Sequence, residues 1–396
     1  MDHQPPAQTC FPRSAYLICL TPFPLLAYLG LESYGVDYRA FYLAGKAVLQ
    51  GLDPYLNHIA ISSDFYGPIN AELAYYSGWK YPPLSSYFFA PFALLPYEMS
   101  KAIFIFLSFC IAASVLAVAI HFSKRTLPPE SVLIALVSFP IVATVERGQI
   151  EIALVSLAVI AVYLISRGSI LVGIALIFVL ASVKVYPFLL ALIALRMGRS
   201  SQWRSLTGAL ISFALILGLT CVFTPSNWQH SFRERMAIEF DRVPGKVLAS
   251  LPADSGVIEG SSTVRSSDSR NLIHSHDFVF GFGNPLLTRQ TFVAGLLGLA
   301  GVVSSLYVNR HQALFQQSLA LMPWINIANP LSWIMGLVWY LPLFFYSYGR
   351  LSPRIRFLAC LPLILPPALN ASAYLAAVIT LVIARCYKPE PAVGIA

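Results

Sequence analysis

The sequence predicts an all-α integral membrane protein that crosses the bilayer about 12 times and has two outer loops carrying interfacial helices. Composition supports this class, because 57% of the 396 residues are hydrophobic and only 11% are charged. Soluble domains carry about 25% charged residues, and the mean hydropathy here is +0.69. The apolar runs follow one another along the whole chain. We therefore expect one membrane-embedded unit over residues 1–396, interrupted by loops at about 32–83 and 225–290.

Twelve apolar runs account for the predicted spans, although several are short for a full crossing. They cover residues 15–31, 100–122, 130–147, 149–166, 168–183, 186–197, 205–224, 291–308, 313–328, 331–348, 356–369 and 371–386. Residues 81–96 are apolar but bounded by prolines, which predicts a short half-inserted helix on the outer side. Residues 168–197 have basic residues at both ends, which predicts a hairpin that turns at Lys184.

The basic residues are concentrated on one predicted side of the membrane. Segments assigned to the inner side hold thirteen basic residues against three acidic ones, and the two long outer loops are nearly balanced. The positive-inside rule then places both termini in the cytoplasm. It also explains the net charge of +8 without a nucleic-acid partner. The thirteen are Arg13, Lys124, Arg125, Arg167, Arg196, Arg199, Arg204, Arg310, Arg350, Arg354, Arg356, Arg385 and Lys388.

Metal and disulfide sites are not indicated. The six cysteines lie in or beside apolar segments without paired or metal-like spacing. Of the seven histidines, only His274 and His276 have a spacing that could suggest a metal, and histidines in a polar loop are more often plain loop residues. The sequence predicts neither a metal nor a cofactor.

Residues 35–55 follow the first apolar run and predict a helix lying in the membrane interface. Asp37 is placed as its N-cap, and Gly51 and Pro54 end it. One face of this helix carries large apolar residues. Another face carries only small residues beneath the Asp37 carboxylate, so a bulky polar ligand could approach that carboxylate closely.

Two cations near the predicted outer surface allow two interpretations. Arg147 follows one apolar run and Lys184 interrupts another, and a charge left in hydrocarbon costs a few kcal/mol. Their side chains could extend to interfacial water. Alternatively, they meet Asp37 on the outer side and hold a phosphate beside its carboxylate. Capping and chemistry are compatible roles for Asp37.

Several short motifs, taken in their order and spacing, resemble glycosyltransferase family 87. This is a family of multi-spanning GT-C-type enzymes that depend on polyprenol-phosphate-mannose, and the resemblance is best over residues 30–205. The motifs are Asp37-Tyr-x-x-Phe41-Tyr42, Gly51-x-Asp53-Pro54-Tyr55, Tyr81-Pro82-Pro83-Leu84, Gly148-Gln149 and Lys184-x-x-Pro187.

The resemblance implies a GT-C-like bundle that transfers a hexosyl unit, expected to be mannosyl. The donor is a polyprenyl-phosphate-linked sugar, and the acceptor is a lipid or glycan hydroxyl at the outer face of the cell (inner) membrane. Transfer proceeds with inversion. Asp37 matches the catalytic aspartate and acts as general base. Arg147 and Lys184 are the candidates to stabilise the departing phosphate. Gln149, Tyr81 and His274 complete the candidate substrate-binding residues.

The chain departs from the family at three places. Glu151 stands where the family tends to have asparagine in Gly-Gln-x-Asn. Ile334 follows Ser332-Trp333, where histidines are frequent, and His274 is the candidate to compensate. Residues 271–276 match the expected Asn-Gln-Ser-Leu segment poorly.

Two other classes of protein remain open. A transporter or flippase of lipid-linked sugar or solute would also need many spans, but it predicts inverted repeats and binding groups near the bilayer midplane. A membrane scaffold would leave the Asp37 face without a purpose. Because the informative charges cluster on the outer side, the sequence favours a transferase.

Overall fold

The computed structural model describes residues 13–33, 35–56, 58, 79–123, 127–240, 291–328, 334–365 and 372–386. All regular secondary structure in these ranges is helical. Two helices are long and apolar enough to cross a membrane, Tyr97–Leu116 and Arg199–Phe223. Two further pairs of helices meet that test together but are bent by 49° and 52°. The all-helical membrane class is confirmed, and the count of about 12 spans stays a prediction.

The helices follow the predicted apolar runs in order. In the first part of the chain they are α1 (Arg13–Cys19), α2 (Pro22–Glu32), α3 (Val36–Leu49), α4 (Ser86–Phe89), α5 (Tyr97–Ser123), α6 (Pro129–Leu136), α7 (Phe139–Arg147), α8 (Glu151–Ser166) and α9 (Ile170–Val183). They continue as α10 (Arg199–Phe223), α11 (Ser226–Phe240), α12 (Thr291–Val308), α13 (Leu314–Ala328), α14 (Leu341–Tyr348), α15 (Pro353–Ile364) and α16 (Ser372–Cys386). The described 3₁₀ helices cover Pro83–Ser85, Phe92–Leu94, Tyr186–Arg196 and Ile334–Tyr340.

Helices α8 and α9 form the centre of the main hydrophobic core. Ala158, Ala161 and Val162 of α8 are fully buried, as are Ile174 and Ile177 of α9. Helix α5 packs on α8, and α10 packs on α9. In contrast, most of α10 is exposed, as expected of a surface that faces lipid.

The apolar run at 130–147 is broken into two helices, α6 and α7, which meet at 49°. Pro140 stands at the start of α7, where its missing N–H costs nothing because the first turn of a helix has no intrahelical acceptors. The chain therefore bends before α7. The last residue of α7 is Arg147.

Helix α3 differs from its prediction in two respects. Asp37 is not its N-cap: Gly35, with a left-handed φ of 58°, occupies that position, and Asp37 lies in the first helical turn without a cap hydrogen bond. The helix also does not lie on an open surface. Tyr38 and Phe41 are fully buried against protein, and protein also covers the small residues Ala44 and Ala47.

Three further predictions concern the outer segments. The half-inserted helix at 81–96 is instead a series of short turns, with α4 between two 3₁₀ helices, because prolines interrupt it repeatedly. The hairpin at 168–197 is confirmed: α9 ends before Lys184, and the 3₁₀ helix Tyr186–Arg196 packs back against α9. The second outer loop, predicted to carry an interfacial helix, contains α11, in which Trp228 is buried.

Candidate active site

The Asp37 carboxylate and the Arg147 guanidinium form a buried ion pair. Nη2 of Arg147 lies 2.9 Å from Oδ1 of Asp37, and Nε of Arg147 donates to Oδ2, so the contact is bidentate. Only 7% of Asp37 and 6% of Arg147 is exposed. Charge-assisted hydrogen bonds of this geometry are among the strong ones, particularly away from water. The predicted general base thus directly contacts one of the predicted phosphate-binding cations.

Two helix ends bring this pair together, the first turn of α3 and the last turn of α7. Gly148 ends α7 with a left-handed φ of 64°, and a Cβ at this position would lie 2.5 Å from Cβ of Tyr38. Only glycine allows both the conformation and this close approach. On the other side, Ser33 Oγ donates to the carbonyl of Glu146 at 2.7 Å. This hydrogen bond and the close packing of Gly148 against Tyr38 hold the segments before Asp37 and around Arg147 in contact.

Lys101 stabilises the turn that precedes α3. Its Nζ donates to the carbonyls of Leu31 and Ser33, at 2.8 Å each, and only 2% of the residue is exposed. A buried ammonium on these carbonyls satisfies orphan acceptors at the end of α2 and interacts favourably with the helix dipole. It fixes the direction in which the chain enters α3, and with it the position of Asp37.

Lys184 is buried and paired in a second part of the site. Its Nζ lies 2.5 Å from Oε1 of Glu151 and 3.1 Å from Oε1 of Gln149, and 9% of the residue is exposed. Neither Lys184 nor Arg147 extends to solvent, so the interfacial interpretation does not describe this geometry. Both cations are held inside the protein by carboxylates.

Tyr81 and Gln149 lie between the two ion pairs. Nζ of Lys184 is 5.2 Å from the centroid of the Tyr81 ring, within cation–π range. Gln149 lies beside both the Asp37 carboxylate and Tyr81. Burial raises the pKa of Tyr81 more than the charge of Lys184 lowers it, so its phenol is neutral and able to donate a hydrogen bond.

Tyr55 links Tyr81 to helix α11. The hydroxyl of Tyr55 donates to the carbonyl of Tyr81 at 2.6 Å, and the ring of Tyr55 lies 5.7 Å from that of Phe232 in α11. Ser231 of α11 also donates to Oδ2 of Asp53 at 2.7 Å. Two segments that are distant in sequence thus meet beside the site.

Sequence reasoning missed several residues that shape this site. Glu151 is buried beneath Lys184 and accepts from the hydroxyl of Tyr186 at 2.6 Å and from Nε1 of Trp339 at 3.0 Å. The sequence marked Glu151 only as a departure from the family, and no sequence signal pointed to Trp339. Lys80 is a further cation whose charge acts favourably on Asp37.

The segment 271–276, which contains His274, lies outside the described residues. Within the described ranges, no group of three or more His, Cys, Asp or Glu side chains is arranged to hold a metal ion. Five of the six predicted site residues are therefore described, and the five lie together: Asp37, Tyr81, Arg147, Gln149 and Lys184.

Part of the chain matches a protein-family model. Residues 79–259 match the family model described as glycosyltransferase family 87. This match supports membership of the chain in glycosyltransferase family 87. The matched segment contains Tyr81, Arg147, Gln149 and Lys184, while Asp37 precedes it. Comparison with curated proteins and with solved structures gave no match. The match indicates a glycosyltransferase, and the described helices include two that are long and apolar enough to cross a membrane.

Proposed function

We propose that this glycosyltransferase transfers a hexosyl unit, mannosyl by preference, from a polyprenyl-phosphate-linked sugar to a hydroxyl of a lipid or glycan acceptor, with inversion. Asp37 is the general base, and Arg147 and Lys184 bind the donor phosphate. Gln149 and Tyr81 contribute hydrogen bonds to the substrates. The donor carries the energy for transfer, so the proposal requires no cofactor.

One observation carries the proposal: a buried site in a family 87 chain that combines a carboxylate with two cations. An inverting transfer needs a base at the acceptor hydroxyl and positive charge at the leaving phosphate. Asp37 supplies the first requirement, and Arg147 and Lys184 supply the second. Because these groups are removed from bulk water, their electrostatic effect on a developing negative charge is large.

The proposed chemistry proceeds in one displacement. The acceptor oxygen attacks the anomeric carbon of the donor sugar while its proton passes to a carboxylate oxygen of Asp37. The bond between the anomeric carbon and the phosphate oxygen breaks, and its electron pair remains on the phosphate. The products are the glycosylated acceptor with inverted configuration and the polyprenyl monophosphate. Asp37 then returns its proton to solvent.

This chemistry requires Arg147 to divide its contacts between Asp37 and the donor. In the structure both oxygens of the Asp37 carboxylate accept hydrogen bonds from Arg147. A bound phosphate would compete for the same guanidinium, whose planar donors suit either anion. When the guanidinium of Arg147 moves its hydrogen bonds to the phosphate, Asp37 becomes able to take the proton of the acceptor hydroxyl. Donor binding thus prepares the base.

The proposed setting is the cell (inner) membrane, with about 12 spans, both termini in the cytoplasm and the site facing outward. The distribution of basic residues supports this orientation. On that topology the donor and acceptor meet at the outer surface, where Asp37, Tyr81 and α11 lie on outer segments.

The test is transfer by the purified protein. Radiolabelled polyprenyl-phosphate mannose is supplied in nanodiscs together with a membrane lipid extract, and nucleotide-linked mannose serves as the control donor. We expect labelled product from the polyprenyl donor only, with inverted anomeric configuration by NMR. Transfer from the nucleotide sugar alone would refute the donor. Movement of intact lipid-linked sugar across vesicles without transfer would favour the transporter alternative.

A further inference from the structure

The carboxylate of Glu151 gathers three donors from two distant parts of the chain. Nζ of Lys184 and the hydroxyl of Tyr186 come from the turn after α9, at 2.5 and 2.6 Å. Nε1 of Trp339 comes from the 3₁₀ helix Ile334–Tyr340, at 3.0 Å. Only 5% of Glu151 is exposed. Both oxygens of the carboxylate are thus used, and Glu151 ties the candidate phosphate-binding lysine to the core.

Glu151 is held rigidly on its own side as well. It lies in the first turn of α8, where a negative charge interacts favourably with the helix dipole. Trp339 is fully buried, and its ring packs against Tyr186 with centroids 5.4 Å apart. A carboxylate fixed in this way holds Lys184 in one place. It also neutralises the charge of Lys184.

We propose that Glu151 is a positioning residue that sets how strongly Lys184 binds the phosphate of the lipid-linked donor. The inference rests on the proposed function, and it adds a residue that the proposed function does not use. The Lys184 ammonium donates to Glu151 and Gln149 and has a further N–H for a phosphate oxygen. The negative charge of Glu151 opposes that phosphate, because both anions share one cation.

The consequence concerns release as much as binding. The departing polyprenyl monophosphate carries more negative charge than the donor diester, so a fully available lysine would retain it. With Glu151 competing for the ammonium, the product is bound less tightly and the site is cleared for the next donor. A glutamine at the same position would keep the size of the side chain and one acceptor oxygen, and it would remove the competing charge.

The experiment measures the dissociation constant of polyprenyl monophosphate for full-length protein in nanodiscs. Glu151→Gln should bind it about 10-fold more tightly than the parent, with a lower donor KM and a lower kcat because product leaves slowly. A merely structural role for Glu151 predicts a lower Tm with unchanged or weaker binding, and that result would overturn the inference. Glu98→Gln is the control, since Glu98 is an exposed acid that pairs with Lys101, away from Lys184.

Two further variants keep the test decisive. In a Lys184→Met background, Glu151→Gln should no longer tighten binding, because its effect acts through the lysine. Persistence of the full effect would overturn the inference. If Glu151→Gln does not fold, Tyr186→Phe removes one donor from Glu151 and leaves its charge to hold Lys184 more firmly. That variant should weaken monophosphate binding, and tighter binding would overturn the inference. If the parent binds no polyprenyl phosphate and transfers no sugar, the proposed function itself fails.

Discussion

Replacement of Asp37 by Asn separates chemistry from structure at the proposed base. If Asp37 were an N-cap, Asn would serve equally well and the variant would be stable and active. The structure changes this expectation, because Asp37 is instead half of a buried bidentate ion pair with Arg147. Asn keeps the shape and one acceptor oxygen but leaves the Arg147 charge without its carboxylate.

The size of both effects follows from burial and chemistry. Removing one partner of a buried ion pair costs about 3–5 kcal/mol, and we expect the lower end because Asn retains an acceptor. Loss of general-base catalysis costs about 100-fold to 10,000-fold in rate, which corresponds to about 2.7–5.4 kcal/mol. We therefore expect a lower Tm together with a loss of at least about 100-fold in kcat.

The assay must distinguish the two causes of lost activity. Transfer is measured below the Tm of the variant, to an acceptor alcohol and to its fluorinated, more acidic analogue. A more acidic hydroxyl depends less on a base, so Asp37→Asn should lose less activity with the fluorinated acceptor. Lys101→Gln is the structural control: it loosens the turn before α3, and its loss should be the same for both acceptors.

The refuting results are specific. Near-parental transfer by a folded Asp37→Asn variant would remove Asp37 from the mechanism. An equal loss with both acceptors, matching that of Lys101→Gln, would assign Asp37 to structure alone. A stability double-mutant cycle with Arg147→Gln adds an independent check, because the paired amides should recover much of the lost stability if the ion pair is as described.

Other predictions test the cations, the turn and the topology. Lys184→Ala should impair the donor kinetics without lowering expression. Lys184→Arg should impair them less, because charge matters more than shape for a phosphate. Equal donor kinetics in Lys184→Ala and in the parent would contradict this prediction. Gly148→Ala should lower the free energy of unfolding by about 1–3 kcal/mol for the left-handed φ, and the clash with Tyr38 should add to this loss. Gly168 also has a left-handed φ, of 89°, but has open space around it, so Gly168→Ala should show only the first loss. Equal Tm losses in the two glycine variants would refute the Tyr38 contact. Reporter fusions should report outside after Gly67 and Ser262, and inside after Thr126 and Ser200; the opposite result at an outer loop would overturn the placement of the site.

The helices could be predicted from sequence because long apolar runs leave few alternatives in a membrane. The environment of each helix could not be predicted in this way. Helix α3 has an apolar stripe that fits a lipid interface, yet protein covers it, since apolar periodicity does not distinguish lipid from a protein neighbour. The start of α3 was also misplaced. Asp is a favoured N-cap, but Gly35 in the left-handed region begins the helix, so Asp37 falls inside it.

The site was predictable where one motif carried a residue and unpredictable where packing joined distant segments. Asp37, Arg147 and Lys184 were found from their charge beside apolar runs and from the family resemblance. Which cation pairs with which carboxylate was not predicted, because either cation could have met either carboxylate. The contact of Trp339 with Glu151 spans 188 residues and has no local signature. Such contacts follow from how the helices pack, which composition and spacing do not specify.

The charges of the site bear on the order of events under the proposed roles. Arg147 balances Asp37, and Lys184 balances Glu151, so the two pairs together carry no net charge. A donor phosphate adds a negative charge, which both cations can meet only by loosening their carboxylates. At Asp37 this release strengthens the base, since a carboxylate that loses its cation holds a proton more readily. The acceptor is then activated only after the donor is in place, and water that enters before the donor meets a carboxylate still paired with Arg147.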